Sequence, residues 1–172
     1  MVDLKSLPPE AVPSALELAK RYRLLNEPHE AESICLDILT VSPDHQEALT
    51  ILLLALTDNF TNELNPSYQK ALEIAERLND TYCKAYYAGI IYERRAKAHL
   101  RQGGPGSGQV AYSWFAKALE SYDRALKGCD PDNQDAVLRW NSCARIINNH
   151  PDVKPGDADS GEMFLDSFET PH

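Results

Sequence analysis

Arg94, Lys97 and Arg101 stand at i, i+3 and i+7 inside the stretch ERRAKAHLR. On a helix that spacing lines three cations along one stripe. Cations so placed recognise anions and do not by themselves make or break bonds. A solvated helix face is the first reading of the stripe, a docking patch for an acidic partner segment the second, and a nucleic-acid contact the last.

The residue types that carry bond chemistry are scattered. The five histidines, His29, His45, His99, His150 and His172, fall at expected turns, on the charged face of a helix or near the C-terminus, so no Ser-His-Asp or Cys-His arrangement is suggested. Cys35, Cys83, Cys129 and Cys143 are far apart, with no Cys-x-x-Cys pair. They are expected to be small apolar packing residues rather than zinc ligands or a disulfide framework. GGPGSG at 103–108 lacks the Gly-Lys-Ser/Thr ending of a nucleotide loop and joins two helical patterns instead of following a strand, so a flexible link is expected there. No catalytic residue, metal ligand or cofactor is expected, and a small enzyme or nucleotide binder is the weakest class considered.

With 172 residues, 43% hydrophobic and 25% charged, the chain has the size of one domain with a core. Its longest apolar run, ALTILLLAL at 48–56, is about half of a membrane span and reads as a buried helix. The opening MVDLKSLPPEAVPS places acids and prolines where a secretory signal would be basic and then apolar, which predicts a cytoplasmic protein. The net charge of −9 is uneven: residues 1–60 hold four Lys/Arg against ten Asp/Glu, 61–128 ten against seven, and 129–172 three against nine. Such an acidic chain is not expected to bind nucleic acid.

Helical periodicity runs through most of the sequence. Ala15, Leu18, Ala19 and Tyr22 mark a first helix, and Ala31, Ile34, Cys35, Ile38 and Leu39 a second, begun by Asn26 and Pro28 and ended by Ser42-Pro43. Further helices are predicted over about 46–57, 67–79, 81–101, 110–127 and 133–148 from the same spacing rule. SPDHQEAL and DPDNQDAV recur 88 positions apart, each stopping one helix and starting the next.

These residues resemble the tetratricopeptide repeat family, whose motif of about 34 positions sets small and aromatic residues at fixed places in a helical hairpin. Counted from Val12, the first repeat offers Ala15, Leu18, Ala19, Tyr22, Ala31, Cys35, Ile38 and Pro43; the third offers Ala85, Ala88, Gly89, Tyr92, Ala118, Tyr122 and Ala125. The spacing between the two recurring segments exceeds two regular repeats, and the surplus is expected mostly in the turns. The resemblance implies an all-α fold, a right-handed α-solenoid of about three irregular hairpins with a capping helix, over 12–149. An N-terminal extension (1–11) precedes it and an acidic, partly disordered tail (150–172) follows.

The resemblance further implies a partner-binding groove lined by the first helix of each pair: Leu16, Lys20 and Arg23, then Thr50, Leu54 and Thr57, then Tyr86, Ile90 and Glu93, with an apolar floor and a basic edge. Leu16 and Lys20 stand where a clamp for a terminal carboxylate would need Lys and Asn, so a chaperone-tail cochaperone is a poor match. In the tail, Met163, Phe164, Leu165 and Phe168 form an apolar cluster among acids, a candidate recognition segment for the groove of its own chain, a neighbour's, or another protein. The function expected is a non-enzymatic protein-interaction module, an adaptor or assembly factor whose partner is a protein or peptide segment. The alternative is a self-associating structural protein, joined through the tail or through Trp114 and Phe115 of the third hairpin.

Overall fold

The computed structural model describes residues 2–61 and 64–156. Among them are seven α-helices, α1 (Val12–Leu24), α2 (Pro28–Val41), α3 (Gln46–Asp58), α4 (Leu64–Glu76), α5 (Thr81–Gln102), α6 (Ser107–Leu126) and α7 (Asp135–Asn149), and no strand. Local chemistry sets their ends. A proline sits in the first turn of both α1 and α2, where its missing N–H costs nothing. Asn26, at φ 60°, takes the left-handed position that closes α1. His45 Nδ1 accepts from the Ala48 N–H at 3.2 Å to cap α3, and Asp80 caps α5 by accepting from the Cys83 N–H at 2.8 Å.

The two recurring segments do more than interrupt helices. Gln46 accepts from the Asn79 N–H at 2.8 Å, and the Arg77 guanidinium donates to the Pro43 carbonyl, tying the α2–α3 link to the α4–α5 link. In the second copy Asn133 Oδ1 accepts from the Tyr82 hydroxyl at 3.2 Å and from the Asp135 N–H at 3.1 Å. Each segment thus starts one helix and fastens it to a neighbour.

Consecutive helices pack against one another, and α1 also meets α3 as α3 meets α5. One apolar core runs through all seven helices. Leu49, Ile51, Leu52, Leu53 and Leu56 are buried on every side of α3, each contributing about 1.5–3 kcal/mol, because neighbours in sequence and one removed both cover it. The broadest interface joins α5 and α6. Gly89 makes it close: a Cβ there would lie 2.4 Å from the Tyr122 ring.

The surplus residues of the third pair lengthen the helices instead of the turn. α5 has 22 residues and α6 has 20, leaving only 103–106 between them, with Gly103, Gly104 and Gly106 all at positive φ. α4 begins and ends three residues before its expected bounds, as the 3-10 turn Asn59–Thr61 shortens the link ahead of it. No helix among the described residues is long and apolar enough to cross a membrane.

Candidate functional site

Arg23 of α1, Thr57 and Asp58 of α3, Arg94, Lys97 and Arg101 of α5, and Arg139 of α7 converge on one side of the molecule. All come from odd-numbered helices. The cleft between them has a volume of about 550 Å3, within the usual range for a binding site.

Two carboxylates organise the cations. Asp58, at the last turn of α3, accepts from Arg23 Nε at 2.7 Å through one oxygen and from Arg94 through the other. Arg94 also donates to Thr57 Oγ1 at 2.6 Å and to the Leu54 carbonyl at 3.2 Å. A carboxylate at a helix C-terminus faces the negative end of the dipole, so the two guanidinium groups are what hold it there. Glu93, fully buried, accepts from the Tyr122 hydroxyl at 2.6 Å, from Lys97, and from Arg139 at 3.2 Å. Burial alone would raise the Glu93 pKa; Lys97, Tyr122 and Arg139 outweigh it and hold the group below its ordinary value. Glu93 is therefore ionised at neutral pH, with its acceptor positions occupied.

Burial pulls the Arg94 pKa down while Asp58 opposes the shift. Against its own burial, the Arg139 pKa is raised by Glu93 and by hydrogen bonding to Tyr86. Five cations thus face two anions in a protein of net charge −9. Water and salt screen that surplus at the cleft mouth, where Arg101 is exposed, but less at half-buried Arg94 and Arg139.

Some of the residues expected to line the groove meet the expected basic stripe. Arg23, Leu54, Thr57 and Glu93 come together with Arg94, Lys97 and Arg101. The apolar floor differs from expectation: Leu16 and Ile90 belong to the core. Lys20 is turned to Glu17 and Glu47, each at 2.6 Å; Thr50 Oγ1 donates to the Gln46 carbonyl at 3.0 Å; Tyr86 stacks on Tyr82 with ring centroids 5.5 Å apart. Arg94 and Lys97 are half-buried, not members of a fully solvated face.

Asp58 and Arg139 were missed by sequence reasoning. Arg139 lies three residues after buried Ala136 and four before buried Cys143, on the inward stripe of α7. Trp114 and Phe115, expected as a self-association face, are both buried within the chain; Trp114 is stacked against Tyr92 and covered by Arg95 and Lys117. The tail segment Met163, Phe164, Leu165 and Phe168 lies outside the described residues.

Among the described residues no three of His, Cys, Asp and Glu gather as metal ligands do. No protein-family model matches the chain, and no curated protein matches it significantly.

Proposed function

We propose that the protein is a non-enzymatic interaction module, an adaptor or assembly factor of tetratricopeptide-like right-handed solenoid architecture, whose cleft takes an acidic segment of a partner protein. One observation carries this reading: a cleft built from alternate helices concentrates Arg23, Arg94, Lys97, Arg101 and Arg139 around two carboxylates in an otherwise acidic chain. Alternate helices are those that line the inner face of a tetratricopeptide solenoid. A positive patch on a negative protein steers an acidic partner to one place and repels it elsewhere.

Acidic and neutral peptide arrays probed with the full chain and with Arg101→Glu test the reading. Arg101 is exposed at the end of α5, so charge reversal leaves the fold intact. Retention of acidic sequences by the wild type and its loss in the variant are expected. Equal retention of neutral sequences, or by the variant, defeats the reading.

A further inference from the structure

A second depression lies at the C-terminal end of the helix stack, distinct from the charged cleft. Tyr112, Ala116 and Leu119 of α6 face Trp140, Ala144 and Ile147 of α7 across a trough of about 320 Å3. Both sets run i, i+4, i+7, with an alanine in the middle of each, so two aligned stripes with small centres leave a gap shaped for bulky side chains. α7 packs on α6, and the trough lies between the two stripes. Trp140 Nε1 is buried there with no hydrogen-bond acceptor among the described residues.

The course of the chain beyond α7 indicates what fills it. The Val153 N–H donates to the His150 carbonyl at 3.0 Å, and Val153 is buried. Asp152 lies so close to α6 that a Cβ on Gly108 would come within 2.2 Å of its carbonyl oxygen. The chain is thereby turned back across the start of α6, at the Tyr112 and Asn148 end of the trough. Phe164 is eight residues beyond Gly156, a reach of up to about 26–29 Å. The trough runs only about 10 Å along α6 from Tyr112 to Leu119.

We propose that Met163, Phe164, Leu165 and Phe168 of the same chain dock in the α6/α7 trough and close the end of the stack. The four apolar side chains match the apolar lining of the trough, while the interleaved Glu162, Asp166 and Glu169 suit water. The charged cleft is the competing host, because the tail's acids complement its cations. The trough is preferred because its lining of Tyr112, Ala116, Leu119, Trp140, Ala144 and Ile147 matches the bulky apolar side chains that the cleft's charged lining does not. This placement does not depend on the function proposed for the cleft. It assigns the tail an intrachain role and leaves the cleft open to a partner.

Photo-crosslinking in the full chain tests it, with benzoylphenylalanine in place of Phe164 and irradiation at low protein concentration. Cross-links within one chain to residues 112–119 or 140–148 are expected, and loss of these products on adding Phe168→Asp, which leaves the helices untouched. Ala144→Asp, checked for unchanged helicity, gives the same loss from the other side. Cross-links to the charged cleft, products joining two chains, or no product above that of the free photoreactive amino acid overturn the proposal.

Discussion

Exchanging Glu93 for glutamine keeps the shape of the side chain and removes the charge faced by Lys97 and Arg139. The amide oxygen can still accept from the Tyr122 hydroxyl, but the NH2 then stands where Lys97 and Arg139 donated, so both the charge and their acceptor are lost. Breaking a fully buried ion pair by removing one partner costs about 3–5 kcal/mol. Here the partner side chains remain 31% and 37% exposed, and water solvates much of what the carboxylate leaves behind. A destabilisation of about 2 kcal/mol is therefore expected at neutral pH, or a fall in Tm of about 4–8 °C for a domain of this size.

The pH dependence separates this account from simple loss of packing. The folded-state pKa of Glu93 lies below its ordinary value, so its contribution is full above the unfolded pKa of about 4.3 and is lost as pH falls through the folded value. Urea unfolding of wild type and Glu93→Gln should show a gap in midpoint at pH 7 that narrows below about pH 4.3, with unchanged slopes. A variant as stable as the wild type at pH 7, or a gap that widens on acidification, refutes the electrostatic role of Glu93.

Three further outcomes follow from the packing and the charges. Gly89→Ala drives a methyl into the Tyr122 ring and should lower stability by about 1–3 kcal/mol in a denaturant titration, the cost of overpacking. Asp58→Asn, by freeing Arg23 and Arg94 from their shared carboxylate, should lower Tm in a thermal melt yet tighten an acidic peptide measured by fluorescence anisotropy. Burial pushes the Cys35 and Cys143 thiols up to about 12; in a DTNB titration both should react only after unfolding, since the thiolate is the reactive form.

Repeated apolar spacing made the helices legible, because the same i, i+3, i+4, i+7 rule that forms a stripe also buries it. What escaped was how charge would be used. Arg94 looks like a solvated residue when counted on one helix, and only the neighbouring α3 turns it inward onto Asp58, whereas the Lys97–Glu93 pair is an i, i+4 contact within α5 whose burial comes from the helices packed around it. Arg139 carried a readable signal, an arginine on the line through Ala136 and Cys143, but its counter-charge lies 46 residues away. The expected apolar floor failed for the opposite reason. Leu16 and Ile90 were expected to line the groove and are drawn into the core by helix neighbours that a single sequence does not specify.

The most direct test of the acidic-ligand cleft is a titration of the full chain with a short acidic peptide, followed by NMR of the arginine Nε–Hε groups. Arg23, Arg94, Arg101 and Arg139 should shift in a saturable, salt-sensitive way, while the exposed Arg21, Arg77, Arg124 and Arg145 stay unmoved. Equal shifts across both sets, or none within the cleft, contradict the account.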